Sequence, residues 1–142
     1  MKHKILFICI HNSARSQMAE AFLNQIGAEN FEAESAGLEP GKLNPNVVAV
    51  MLEIGIDMSN NITKSVFDML EQGRHYDAVI TVCDAASAEA CPVFPGKAQK
   101  LGWSFADPSQ FTGTPQEKLE QTRKVRDEIK VKVEEFVKNH QL

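Results

Sequence analysis

The run Ile5-Leu6-Phe7-Ile8 lies inside Lys4 to Cys9 with no polar interruption, the pattern of a strand buried on both faces. The period then changes. From Ser16 to Ile26 apolar side chains recur at helical spacing, with Met18, Phe22 and Ile26 on one face, and Gly27 supplies a stop. Phe31 to Ser35 predicts a second short strand, closed by Gly37. Pro45 opens a helix with Val47, Val48, Met51, Leu52 and Ile54 as its apolar positions, and Gly55 stands near its end. Thr63 to Gln72 predicts a short helix with Val66, Phe67 and Leu70 inward. Tyr76 to Val82, YDAVITV, is the clearest strand of the chain, and Cys83 ends it. A shorter strand centres on Lys100-Leu101-Gly102-Trp103 within Lys97 to Phe105. Thr114-Pro115 begins a long helix with Leu119, Val125, Ile129, Val133, Phe136 and Val137 along its buried stripe.

Strands alternating with helices predict an α/β fold with a parallel sheet and helices on both faces. No repeat or linker divides the chain, so residues 1–142 are expected to form a single domain. Right-handed crossovers leave few topologies. The small doubly wound, flavodoxin-like one has four strands in the order 2-1-3-4, with its ligand site at the switch between strands 1 and 3. Cys9 then ends strand 1, Cys83 ends strand 3 and Asp107 follows strand 4, all on one rim. Neighbouring parallel strands lie about 4.8 Å apart, which places Cys9 and Cys83 within bridging reach.

Composition narrows the setting. With 142 residues, 43% hydrophobic and 24% charged, the chain is long enough for one proper core. The net charge of −4 argues against a nucleic-acid surface, so any anion must be held by a local site. The run from Ile5 to Ile10 is too short for a signal peptide, and no stretch has the length to span a bilayer. Three cysteines, Cys9, Cys83 and Cys91, make a poor structural disulfide framework. They point instead to a reducing cytoplasm, where cysteines are catalytic, metal-binding or redox-active.

The chemistry gathers around CIHNSARS, residues 9–16. A loop between a strand and a helix N-terminus presents backbone N–H groups inward, and the helix dipole adds partial positive charge. Such a nest suits a tetrahedral oxyanion, cradled by Ile10, His11, Asn12, Ser13, Ala14, Arg15 and Ser16. Arg15 adds a two-pronged grip. The same field, with a hydroxyl donor such as Ser16, stabilises a thiolate at Cys9. Asn12 tolerates a left-handed backbone. The bland alternative is a buried, inert Cys9 with Arg15 at the surface. Cys83 and Cys91 could pair, ligate a metal or stand as two half-buried thiols. Asp107-Pro108 is an ordinary turn or, on this rim, a carboxyl able to protonate a leaving oxygen. His75 reads as surface and Trp103 as core.

These residues carry a resemblance. C-x5-R-S after the first strand, continuing as SQMAEAF, is similar to the low-molecular-weight tyrosine phosphatase superfamily, and NSARSQMAEAF resembles its thioredoxin-coupled arsenate reductase branch. The similarity continues through ESAG at 34–37, GIDMS at 55–59, DAVITVCD at 77–84, CP at 91–92, GWSFADP at 102–108 and RDEI at 126–129. The resemblance implies a cytoplasmic, monomeric enzyme that needs no bound cofactor. It implies a relay in which Cys9 attacks arsenate, Cys83 attacks Cys9, and Cys91 attacks Cys83. The resulting Cys83–Cys91 disulfide is returned to thiols by thioredoxin or a similar reductant. Asp107 takes the general-acid role and Ser16 supports the nucleophile. Asn12, Glu20 and Ser35 match positions that bind potassium in some reductases, but Asn61-Ile62-Thr63-Lys64 lacks the matching acidic residue, so no metal is predicted. His11 stands where family members commonly have a smaller residue, and Ala14 where relatives often have a cysteine.

Two other functions compete. A low-molecular-weight protein tyrosine phosphatase needs Cys9, Arg15 and Asp107 but neither Cys83 nor Cys91. Such phosphatases typically carry tyrosines after Asp-Pro, whereas Ser109, Gln110 and Phe111 follow here and Tyr76 is the sole tyrosine. A non-catalytic redox or metal sensor would use the thiols but has no need of a leaving-group acid.

Overall fold

A computed structural model describes residues 2–82 and 98–139. Strand β1 (His3–Cys9) lies in the middle of a four-stranded parallel sheet, with β2 (Phe31–Gly37) on one side and β3 (Ala78–Thr81) on the other; β4 (Gln99–Gly102) follows β3. The order β2-β1-β3-β4 is the one expected. Alternation along β1 explains why its run is wholly apolar. Ile5, Phe7 and Cys9 point into one core, Leu6 and Ile8 into the other, and all five are buried.

The larger core lies under α1 (Arg15–Ile26), α2 (Pro45–Leu52) and the long α4 (Pro115–Asn139). Met18, Phe22 and Leu23 of α1 meet Val125, Ile129, Val133 and Phe136 of α4 in this layer. Phe7, Trp103, Phe136 and Phe31 form a chain of tilted and edge-on rings with centroids 5.3 to 5.7 Å apart. Arg126 is buried within α4 because its guanidinium has work there. It donates to the Val50 carbonyl (2.8 Å) and to Glu53 (3.1 Å), closing the C-terminal end of α2.

The opposite face is covered by α3 (Val66–Glu71), started by Ser65, whose hydroxyl accepts the Phe67 N–H. This helix is shorter than the expected Thr63–Gln72, and its inward face differs. Val66 and Met69 are buried, Leu70 packs partly beside them, and Phe67 is 50% exposed. Phe67 follows Val66 by one residue, about 100° round the helix, and so stands off the buried Val66–Met69 stripe. Leu52 and Ile54, expected among the apolar positions of α2, are also largely exposed, because α2 ends at Leu52 and buries Val47, Val50 and Met51. Ile26 is only partly covered at the end of α1. Among the described residues no helix is long and apolar enough to cross a membrane.

Midway along β2, opposite Leu6, Glu34 accepts hydrogen bonds from Tyr76 Oη (2.5 Å) and Arg74 (2.8 Å). Burial pushes the Glu34 carboxyl up, but these bonds outweigh it and hold the group below its ordinary value, while burial and Glu34 push the Tyr76 hydroxyl up. A carboxyl lowered on folding contributes stability above its unfolded pKa and loses it as pH falls through the folded one. Glu34→Gln is expected to flatten the acid limb of stability below about pH 4.5, read by urea unfolding across pH. In the core, Phe22→Ala is expected to cost about 3–5 kcal/mol in the same measurement.

Candidate active site

Residues 10–14 carry the chain from the end of β1 to the start of α1. Their carbonyls are held by the segment after β2. Leu38 N–H donates to Cys9 O (3.2 Å), Glu39 to Ile10 O (2.8 Å), Gly41 to His11 O (3.0 Å) and Asn44 to Ser13 O (2.9 Å). In a trans peptide the carbonyl of one residue and the N–H of the next point to opposite sides. Tying these carbonyls outward therefore turns the N–H groups of His11, Asn12 and Ala14 inward. That of Asn12 reaches Cys9 Sγ at 3.2 Å. The loop adds its amides to the first turn of α1, which has no side-chain cap at Ala14 and no acidic residue.

Gly37 makes this close approach possible. A Cβ there would lie 2.8 Å from the Asn12 nitrogen and the Ile10 oxygen, and 2.9 Å from the His11 carbonyl carbon. All three are backbone atoms of the loop, so a methyl group displaces the loop itself.

Cys9 is buried, and its sulfur lies 2.8 Å from Ser16 Oγ. The Asn12 N–H points at the same sulfur, so two polar groups of the loop and of α1 meet on it. Asn12 is the only described non-glycine residue with positive φ, at 54°, the left-handed backbone that asparagine tolerates. Its side chain is fully committed. Nδ2 donates to Ser16 Oγ (2.8 Å), and Oδ1 accepts from Gln17 Nε2 (3.2 Å) and the Lys64 N–H (2.9 Å). Gln17 also donates to Ile62 O and accepts from Asn61. The His11 ring is turned away from the loop interior, with Nδ1 2.9 Å from Glu39 O.

Arg15 is 3% exposed. Its Nη1 donates to Phe105 O (3.1 Å) and its Nη2 lies 3.5 Å from Asp107 Oδ2. Its Nε is the one buried side-chain polar atom among the described residues without a hydrogen-bond partner. A buried cationic donor left unmatched is costly, and an anion can match it. Asp107 starts the 3-10 turn Pro108–Gln110, with Oδ1 engaged by Ser109 N–H (3.0 Å) and Oγ (2.9 Å). That leaves Oδ2 on the side of Arg15.

Cys9, Arg15, Ser16 and Asp107 thus come together, and Ile10 to Ala14 form the loop between them. Cys83 and Cys91 lie outside the described residues. The described chain reaches Val82, whose N–H donates to Ile8 O (2.9 Å) beside Cys9. Periodicity gives no hint of Gln17 or the 38–44 segment, and marks Gly37 only as the close of a strand. The signal available for Gln17 was a polar residue at a helix position flanked by buried ones. Potassium does not fit at Asn12, Glu20 and Ser35 in this chain. Asn12 Oδ1 already accepts two hydrogen bonds, and Glu20 Oε1 accepts from Ser35 Oγ (2.8 Å) and the Lys64 ammonium (3.2 Å).

The centre thus joins a buried thiol, a strand-to-helix loop and a buried arginine on the rim of a 2-1-3-4 sheet. The chain belongs to the low molecular weight phosphotyrosine protein phosphatase family, whose model matches residues 4–141. Within it, the chain is 41% identical to an arsenate reductase of Bacillus subtilis (strain 168) over 137 residues, 96% of each chain. The fold is similar to the crystal structure of an arsenate reductase from Archaeoglobus fulgidus, with a TM-score of 0.76 and 31% identity over 95% of this chain and 99% of that one. A thioredoxin-dependent arsenate reductase of Corynebacterium glutamicum aligns at TM-score 0.61 and 28% identity, over 93% of this chain and 62% of that one.

Gly37→Ala is expected to cost about 1–3 kcal/mol of stability. It should also lower the protection that inorganic phosphate gives Cys9 against iodoacetamide by roughly tenfold, because the loop is the part displaced.

Proposed function

We propose that this chain is an arsenate reductase that works through a relay of Cys9, Cys83 and Cys91. The observation that carries the reading is the buried Arg15 guanidinium, with Nε unmatched, at a loop of inward amides that ends on Cys9. The arsenate reductases among its relatives support the choice of anion.

In the proposed reaction the Cys9 thiolate attacks arsenate, with the loop amides and Arg15 holding the oxygens. An S–As bond forms, and one oxygen leaves as water after taking a proton from Asp107. The Cys83 thiolate then attacks the Cys9 sulfur. The S–As bond breaks with its electron pair on arsenic, so As(V) becomes As(III) and leaves as arsenite, and a Cys9–Cys83 disulfide forms. Cys91 attacks Cys83, releasing the Cys9 thiolate and leaving a Cys83–Cys91 disulfide. An external dithiol restores the thiols, and the thioredoxin-dependent relative supports thioredoxin for this step. No bound cofactor enters. All the groups belong to one chain, which supports a monomer, and the need for reduced thiols supports a cytoplasmic setting. Ser16 and Asn12 steady the thiolate between turnovers.

Purified protein is expected to oxidise NADPH when given arsenate, thioredoxin and thioredoxin reductase. Cys9→Ser should form no arsenite. Cys91→Ser should release one equivalent per chain and then stop. Asp107→Asn should lower kcat by about 10²- to 10⁴-fold. If Cys91→Ser turns over like the parent protein, the relay is wrong. If p-nitrophenyl phosphate is much the better substrate and loss of both Cys83 and Cys91 is harmless, the protein is a phosphatase.

A further inference from the structure

Lys64 stands in the segment that leads into α3, and it touches the loop's support in three ways. Its carbonyl accepts the Gly37 N–H (2.8 Å), its N–H donates to Asn12 Oδ1 (2.9 Å), and its ammonium donates to Glu20 Oε1 (3.2 Å). The same carboxylate oxygen accepts from Ser35 Oγ, which is fully buried at the end of β2. Glu20 follows Ser16 by four residues on α1, so the two share a face one turn apart, and Ser16 bonds Cys9. A carboxylate that close to an oxyanion loop opposes everything the loop does. Its side chain is 17% exposed, so water screens it poorly, and among the described residues Lys64 is its only ion-pair partner.

We infer that the Lys64 ammonium is a resident cation of the oxyanion loop: it cancels the Glu20 charge beneath the loop in the place where a bound potassium ion would otherwise be needed. The donor set fits an ammonium. Glu20 Oε1 meets one N–H and one O–H at hydrogen-bond distance, and a metal ion on that oxygen would share it with an ammonium that already stands 3.2 Å from it. Lys64 acts through Glu20 and Asn12, so it is a positioning residue and does not touch the substrate.

The inference rests on the oxyanion-loop reading, and its test reads anion binding directly, so that it stands or falls apart from the reductase reaction. The probe is inorganic phosphate, scored by how far it slows alkylation of Cys9 by iodoacetamide, with ionic strength held constant by tetramethylammonium chloride. The parent protein should bind phosphate equally with and without potassium. Lys64→Met keeps the apolar stem and removes the charge. It should weaken phosphate about tenfold, the scale of one poorly screened charge near the site. Potassium should recover most of that loss, as should adding Glu20→Gln, and Lys64→Arg should bind like the parent.

Potassium dependence in the parent protein overturns the inference. So does undiminished binding by Lys64→Met, or a loss that neither potassium nor Glu20→Gln repairs, which would make Lys64 a structural tether. Should Lys64→Met fail to fold, the parent's response to potassium and the Lys64→Arg and Glu20→Gln/Lys64→Arg pair still decide, since an unpaired charge at 64 must then strengthen phosphate binding. If phosphate protects Cys9 in no variant, the oxyanion reading falls first.

Discussion

The site depends on where four carbonyl groups go. Cys9, Ile10, His11 and Ser13 give theirs to the N–H groups of Leu38, Glu39, Gly41 and Asn44, and this turns the loop's own amides to its inner side, where that of Asn12 reaches the sulfur. A loop with those carbonyls free could turn either edge inward. The strands next to it contribute the same logic, since β2 ends at Gly37, where the absence of a side chain lets the loop backbone pass within contact distance. Ordering the cradle is thereby part of folding, and an anion arriving there finds its donors already aimed.

The polar groups beneath the loop serve the same end. Asn12 holds a left-handed backbone in place with both ends of its amide, and Gln17 and Lys64 share its oxygen. Each of these groups is buried or half-buried and each has a partner, so the network fixes one arrangement. Arg15 is the exception, with a buried Nε unmatched while its two terminal nitrogens reach Phe105 and Asp107. The one unsatisfied group therefore belongs to the residue that the proposed function places on the anion.

Much of this could be read in the sequence because it is local or periodic. The unbroken run from Ile5 to Ile8, the stripe of α4 and the placement of Cys9, Arg15 and Asp107 on one rim follow from spacing and from the handedness of crossovers. Phe67 is exposed because the face of α3 turned to the sheet is the one that carries Val66 and Met69, and Phe67 stands about 100° round the helix from Val66. The partners of the loop carbonyls lie 29 to 31 residues further along the chain and bond through backbone atoms, which carry no residue signature. Lys64 looked like the lack of an acidic residue. Only its distance to Glu20 reveals what it supplies.

A cradle made of backbone N–H groups and one guanidinium reads negative charge and tetrahedral shape. It has no means of reading the atom at the centre. Phosphate and arsenate have the same shape and nearly the same charge, so under the reductase reading both are admitted. Selection then falls to the sulfur chemistry after binding, where arsenic(V) can accept an electron pair from an S–As bond and phosphorus(V) in phosphate cannot be reduced by thiols. Phosphate becomes an occupant that leaves unchanged, and the enzyme's fidelity lies in which complex goes forward.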